Sequence, residues 1–318
     1  MQKRKLGQSA LEVPPLTVGG NVFGWTVREQ DALPLLDAFL DAGLNFIDTA
    51  DSYSRWVAGN KGGESETIIG KWIRARGNRD KVIIATKVGS DMGQHNGKKV
   101  LKKSYILQAA EDSLRRLQTD YIDLYQSHYD DPDTPVEETL EAYAELVKAG
   151  KVRFIGASNF SSKRLAASLE ASKKHGYPVY QSIQPEYNLY DRAGYEKELE
   201  PLVLETGIGV INYYALASGF LSGKYRTEAD LSKSARGPGI KKYLDERGQR
   251  ILKALDETAQ RYKSTPAGIS LAWLMARPGI TAPIASATSE RQIAELAAAA
   301  GLELDEAAIA LLDKASAY

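Results

Sequence analysis

The sequence predicts an α/β protein of eight strand–helix units in series, the pattern of a (β/α)₈ TIM-type barrel. Three observations carry that expectation. Short apolar runs of β type alternate with longer amphipathic stretches along nearly the whole chain, and such alternation builds a parallel sheet with helical crossovers. Counted from a first strand near Leu16–Val18, the series holds eight such units. No composition shift marks a domain boundary in the 318 residues, so residues 1–318 read as one domain, a length that barrels reach. An open sheet of eight strands is the competing topology.

The elements follow in order. Leu6-Gly7-Gln8-Ser9-Ala10-Leu11 reads as a small N-terminal β-hairpin that closes the bottom of the barrel. After the strand at Leu16–Val18, apolar runs at Asn45–Asp48, Val82–Lys87, Ile122–Gln126 and Val152–Ala157 give the next four strands. Ser182–Pro185, Ile208–Tyr213 and Thr281–Ile284 complete the set. Helical patterns lie between them, at Leu33–Ala42, Ser104–Leu117, Val136–Ala149 and Ser161–Lys174. Thr134-Pro135-Val136-Glu137 combines an N-cap, a proline at the first helical position and an acid two residues later. Thr265-Pro266 repeats the cap and proline before Ala267–Ala276, and Gly43 and Gly150 follow helical patterns as C-terminal glycines do. Arg226–Gly239 is polar and reads as a long functional loop, and Leu304–Ala317 as a C-terminal helix.

Composition removes several classes of function. Lys and Arg together number 41, as do Asp and Glu; a zero net charge offers no basic excess for nucleic acid. No apolar run has the length of a membrane span, and the Lys/Arg-bearing N-terminus meets Pro14 and Pro15 rather than a signal-peptide core. With no cysteine and three histidines, at 95, 128 and 175, no disulfide, thiol nucleophile or mainly His-ligated metal site is expected. The lack of cysteine fits a reducing cytoplasm.

In a barrel, chemistry collects at the C-terminal ends of the strands. There the sequence puts Asp48, with Tyr53 just beyond it, then Lys87, then His128, Ser158-Asn159, Gln184 and Tyr213. An acid, a phenol, an ammonium and an imidazole at one mouth suit reduction of a carbonyl, whose oxygen gains charge and then a proton. A phenol of pKa about 10 donates poorly near neutrality. An ammonium beside it lowers that value, so Lys87 is expected to acidify Tyr53 while Asp48 holds Lys87 charged. His128 can hydrogen-bond the carbonyl, and the hydride must come from a cofactor. Each residue also has a plain structural reading. Asp48-Thr49-Ala50-Asp51 can be a helix cap or turn, Tyr53 is one of 17 tyrosines, Lys87 can be a strand tip and His128 a structural histidine. The case rests on all four falling at successive strand ends.

Asn45–Tyr53 (NFIDTADSY), Ala85–Gly89 (ATKVG), Tyr121–His128 (YIDLYQSH) and Gly150–Ser161 (GKVRFIGASNFS) together resemble the aldo-keto reductase family, in its bacterial and potassium-channel β-subunit branch. The resemblance spans essentially the whole chain in order. It implies a cytoplasmic, NADPH-dependent reductase of small-molecule aldehydes and ketones, with Asp48, Tyr53, Lys87 and His128 as a catalytic tetrad. It assigns Ser158, Asn159 and Gln184 to the nicotinamide carboxamide, and Tyr213 to stacking on the ring. Leu216, Ser218 and Lys224 match a loop around the diphosphate, and Arg236 a cation toward the adenosine end. Ser286, Thr288, Gln292 and Glu295 match the segment around the adenosine and 2′-phosphate of NADP. The chain departs from the family at Tyr214-Ala215, where Ser and Pro are usual, at Ser286, where Gly is common, and at Leu296, where Asn is common. Arg291, beside Gln292, offers a compensating cation.

Trp25, Trp56 and Tyr129, with Asn21, are candidates for the substrate mouth and suggest a flat or hydrophobic substrate; Phe23 reads rather as packing. Gly19–Gly24 is expected to form a tight turn, not a dinucleotide fingerprint. Two other functions compete. One is a Schiff-base aldolase with Lys87 as nucleophile, which needs a depressed lysine pKa that Asp48 opposes. The other is a nicotinamide-binding sensor or regulatory subunit that turns over slowly.

Overall fold

The computed structural model describes residues 1–93, 96–234 and 236–318. The chain opens with an antiparallel pair, β1 (Arg4–Lys5) and β2 (Glu12–Val13), whose turn is pinned by the Ser9 hydroxyl donating to the Leu6 carbonyl at 2.7 Å. Eight parallel strands follow: β3 (Thr17–Gly19), β4 (Phe46–Asp48), β5 (Ile83–Val88), β6 (Ile122–Ser127), β7 (Val152–Ser158), β8 (Tyr180–Gln184), β9 (Gly209–Val210) and β10 (Ile284–Ala285). They lie in the order β10-β3-β4-β5-β6-β7-β8-β9. The sheet curls round until its ends meet, where the Ile284 amide donates to the Asn212 carbonyl at 2.9 Å and the Ala282 amide to the Val210 carbonyl at 3.2 Å. The fold is therefore the barrel and not the open sheet.

The outer ring comprises α1 (Glu29–Asp41), α2 (Glu64–Arg76), α3 (Lys103–Leu117), α4 (Val136–Lys148), α5 (Ser162–His175), α6 (Ala193–Glu198) and α7 (Glu200–Thr206). It continues through α8 (Glu246–Tyr262), α9 (Pro266–Met275), α10 (Glu290–Ala299) and α11 (Glu306–Ser316). Two local signals act as the sequence predicts. The Thr265 side chain caps α9 by accepting from the Gly268 amide, and Gly43 and Gly150 take φ of 77° and 73° just past α1 and α4. One does not. Pro135, not Thr134, is the N-cap of α4, with no side-chain cap; the Thr134 hydroxyl is turned toward Asp131 in the preceding loop, donating to it at 2.6 Å. Arg226–Gly239 is less open than expected, since Glu228–Lys233 and Gly237–Tyr243 wind into 3₁₀ turns.

The core has two layers. Inside the barrel, Phe46, Ala85, Leu124, Ile211 and Ala282 pack on Leu6 and Val13 of the hairpin, so the hairpin plugs the bottom and leaves the top for the site. The larger layer lies between sheet and helices, with Trp72, Tyr143, Leu255 and Trp273 among its buried members. At Gly70 the helices nearly touch: a Cβ there would lie 2.2 Å from the Arg116 carbonyl oxygen. Gly70→Ala should therefore force α2 off α3 and cost about 1–3 kcal/mol, read as a fall in Tm; an unchanged Tm would mean the helices part freely. No described helix is long and apolar enough to cross a membrane.

Candidate active site

The barrel brings the four strand-end residues together. β4 ends in Asp48, Lys87 is the penultimate residue of β5, and His128 directly follows β6. Tyr53 stands in the turn after β4, fixed by its amide donating to the Ala50 carbonyl at 3.3 Å. Asp48 and Lys87 are both fully buried. The Lys87 ammonium donates to Asp48 Oδ2 at 2.6 Å, to the Tyr53 phenolic oxygen at 2.8 Å and to the Thr49 carbonyl at 2.9 Å. Three acceptors match its three N–H groups. Asp48 is equally well met: Tyr53 donates to Oδ2 at 3.2 Å, and Gln126 and Gln184 donate to Oδ1 at 3.1 and 2.9 Å. A buried ion pair is tolerated only when its remaining hydrogen-bonding capacity is filled, and here it is.

The electrostatics differ in one respect from the expectation. Burial, then the charge of Asp48 and its hydrogen bond, push the Tyr53 phenol well above its ordinary value, and Lys87 does not reverse this. Burial also depresses Lys87, against the pull of Asp48, Asp51 and Glu66. Desolvation outweighs the ammonium because the pair sits under the floor of the cleft rather than in water. His128 is held well below its ordinary value by burial and by Lys87 and Lys99, and is thus a neutral imidazole. Its Nδ1 lies 3.1 Å from the Ser90 hydroxyl, and its ring stacks on Tyr129 at 4.7 Å between centroids.

A cleft of about 1230 Å³ opens above Tyr53 and His128 and runs to the N-terminus of α10. That exceeds the roughly 300–1,000 Å³ of a common small-molecule pocket. Ser158, Asn159, Gln184 and Tyr213 line its inner end, and Leu216, Ser218, Lys224 and Arg236 its middle. Ser286, Thr288, Arg291, Gln292 and Glu295 line its outer end. Asn159 takes φ 57°, which lets its side chain donate to the His128 carbonyl at 2.9 Å and accept from the Tyr213 hydroxyl at 2.8 Å. The middle is formed by Ala217, Ser218 and Gly219, all left-handed, after Tyr214 at φ 54°. Non-glycine residues in that region are strained, and such strain concentrates at ligand clamps. Ser286 is engaged within the chain, its one hydroxyl proton shared between the Gly19 carbonyl at 2.9 Å and Asn21 Oδ1 at 2.8 Å. Gln292 likewise accepts from the Thr288 amide at 2.8 Å, and Arg291, 87% exposed, faces Glu295 at 3.4 Å.

Around the mouth, Trp56 and Tyr129 line the cleft. Trp25 does not; it packs edge-on behind Trp56 at 5.6 Å and lies 5.1 Å beneath the Arg236 guanidinium. Asn21 is in the lining and Phe23 is wholly buried, as expected of each. Sequence reasoning gave no site role to Gln126, Ser90 and Asp51, and marked Tyr214 only as a departure from the family. Gln126 was within reach, since it precedes His128 by two residues and so shares the inward side of β6. Ser90 and Tyr214 lie in irregular backbone, where no periodicity predicts direction. His95 lies outside the described residues. Among those described, no group of three or more His, Cys, Asp or Glu could hold a metal ion.

Residues 15–317 match the model of the aldo/keto reductase family. The chain is 34% identical over 319 residues to an uncharacterized oxidoreductase, YrpG, of Bacillus subtilis (strain 168), covering 98% of this chain and 95% of that one. It is 35% identical to the aldo-keto reductase YhdN of the same organism, over 91% of this chain and 84% of that one. It is also 33% identical to a probable voltage-gated potassium channel subunit beta of Arabidopsis thaliana, over 93% and 90% of the two chains. A barrel with this cluster at its mouth and these relatives leads to one assignment: the chain belongs to the aldo/keto reductase family, nicotinamide-dependent oxidoreductases of the carbonyl-reducing kind.

Proposed function

We propose that the protein reduces small aldehydes or ketones in the cytoplasm with NADPH, using Tyr53 as the proton donor. The observation that carries this reading is the wiring of the Tyr53 hydroxyl. Its oxygen accepts from Lys87 at 2.8 Å, and its own proton rests on a long 3.2 Å bond to Asp48. That long bond is the one given up when a carbonyl oxygen arrives. A phenol held above its ordinary pKa stays protonated in the resting site. It releases the proton only to a stronger base, which the carbonyl oxygen becomes as hydride adds. Lys87 then faces the new phenolate across a bond already formed, so no reorganisation is needed. The neutral His128 donates to the same oxygen and fixes its position.

The donor set of the cleft fits a nicotinamide dinucleotide. Ser158, Asn159 and Gln184 offer amide-recognising groups at the inner end, Tyr213 an aromatic face, and Lys224, Arg236 and Arg291 cations further out. When bound, the reduced nicotinamide supplies the hydride. Arg236 is the strongest candidate for discriminating the 2′-phosphate. Burial, not a carboxylate, dominates its surroundings, whereas Arg291 already faces Glu295. A charge-assisted contact of this kind is worth about 1.5–3 kcal/mol, or roughly ten- to a hundredfold. Arg236→Ala is expected to lose about that factor in kcat/KM with NADPH and little with NADH; Arg291→Ala should lose less. Equal wild-type efficiencies with both cofactors, or an equal loss with both in Arg236→Ala, would refute the assignment.

The aldolase reading gains one observation, the depressed Lys87, and loses on geometry. All three Lys87 N–H groups are engaged and the side chain is inaccessible, so no lone pair faces the cleft. The sensor reading draws on the potassium-channel relative. A panel of aldehydes followed by loss of NADPH absorbance decides among the three: steady turnover supports the reductase, and none with any member sinks it.

A further inference from the structure

Asp51 is a buried acid with no role in the chemistry above. It is 2% exposed, and neither carboxyl oxygen has a well-formed hydrogen bond among the described residues; the one donor that pulls on it is the neighbouring Ser52 amide, too weakly to offset burial. Buried polar groups are nearly always paired, so an orphaned one calls for a cause. Its backbone is locked to the catalytic strand, with the Asp51 amide donating to the Lys87 carbonyl at 3.2 Å. Gly62, at φ 96°, presses on it from outside, where a Cβ would lie 3.1 Å from the Asp51 carbonyl oxygen. The charged and titratable groups around it are Lys87 on β5, Glu66 on α2, Arg116 and Tyr105 on α3, Tyr125 on β6 and Tyr143 on α4. Glu66 is itself engaged, accepting from Arg116 at 2.6 Å and from the Thr86 hydroxyl at 2.5 Å. Asp51 thus stands between two satisfied ion pairs, Asp48–Lys87 and Glu66–Arg116, and completes neither.

We propose that Asp51 is a positioning residue of the reaction, a carboxyl placed behind Lys87 whose charge state governs how long Lys87 and Tyr53 keep their protons as pH rises. The proposal rests on the reductase reading above. Burial first, then Glu66, push the Asp51 acid up from 3.8 to about 8. Near neutrality it is uncharged and leaves the Asp48–Lys87–Tyr53 balance alone. Above about pH 8 it becomes an anion. A new negative charge in this dry region raises the affinity of Lys87 and Tyr53 for their protons. Tyr53 then remains a donor to higher pH than its own surroundings would allow.

The arrangement has a cost that can be measured. The folded state holds the Asp51 proton between about pH 4 and pH 8, whereas the unfolded chain has released it. Stability contributed by this group therefore falls as pH rises through that window. An acid kept at such a cost, beside a catalytic lysine, is a functional candidate.

The test is Asp51→Asn, with Asp51→Ala as the second variant should the amide fail to fold. Two readouts are taken for each protein: the pH profile of kcat/KM for aldehyde reduction, and Tm against pH. The expected result has two parts. The alkaline limb of the profile moves down by about one pH unit. The variant also melts above the wild type at pH 8 and beyond, by about 2 °C or more, with the gap closing toward pH 5. An unmoved alkaline limb overturns the proposal whatever the melting data give. A variant less stable than the wild type at every pH overturns it too, since Asp51 would then be a structural contact. Absence of wild-type turnover at any pH counts against the reductase reading instead, and the melting curves, which need no turnover, still judge the buried acid.

Discussion

Tyr53→Phe is expected to lose carbonyl reduction by about 10²–10⁴-fold in kcat while binding NADPH as the wild type does. The substitution removes one oxygen and nothing else. That oxygen accepts from Lys87 and donates to Asp48, and both partners keep other bonds: Lys87 to Asp48 and Thr49, Asp48 to Gln126 and Gln184. The cluster should therefore stay folded. The ring also keeps its edge contacts with Trp56 and His128, at 6.1 and 6.0 Å between centroids. What is lost is the proton, at the position where carbonyl oxygen becomes alkoxide. The residues proposed to hold the cofactor, Ser158, Gln184 and those of the outer cleft, make no hydrogen bond to the hydroxyl, which meets Lys87 and Asp48. Titration of NADPH by fluorescence and single-turnover kinetics separate the two effects. A variant keeping more than about half of the wild-type kcat would remove Tyr53 from the mechanism.

The contrast between Lys87 and Tyr214 explains what was legible in the sequence. Strand ends can be placed because apolar runs are short and recurrent, and the barrel sends every strand end to the same mouth. Asp48, Lys87, His128, Ser158 and Gln184 follow from that rule with no side-chain information. The sign of the Tyr53 shift does not. It depends on how deeply the ion pair is buried, and burial at a strand end is set by the loops above it. Tyr214 and Asp51 fail for a related reason. Each lies where the backbone leaves a regular period, so neither the left-handed turn at Tyr214 nor the missing donors around Asp51 could be read from spacing. Thr134 is a smaller case, a capping type of residue whose hydroxyl is turned to the Asp131 carboxylate in the loop rather than to the first turn of α4.

Lys87→Met should abolish most of the activity and destabilise the protein by about 3–5 kcal/mol near neutral pH, the usual result of stranding one member of a buried ion pair. Methionine nearly fills the space of the lysine stem, so packing is preserved and the effect is electrostatic. Asp48, 0% exposed, would keep its neutral donors Gln126, Gln184 and Tyr53 but lose the only cation that touches it among the described residues. An ionised carboxylate left there without its cation bears the uncompensated cost of burial. Adding Asp48→Asn to Lys87→Met removes the stranded charge and should recover much of the stability but none of the turnover, because Tyr53 would still lack the ammonium that receives its phenolate. Loss of one preorganised donor at a developing anion costs about 10²–10³-fold. Denaturant unfolding and kcat for the single and double variants test both halves. A single variant within tenfold of the wild-type kcat would mean that Lys87 does not stabilise the phenolate, and a double variant no more stable than the single one would mean that it does not balance Asp48.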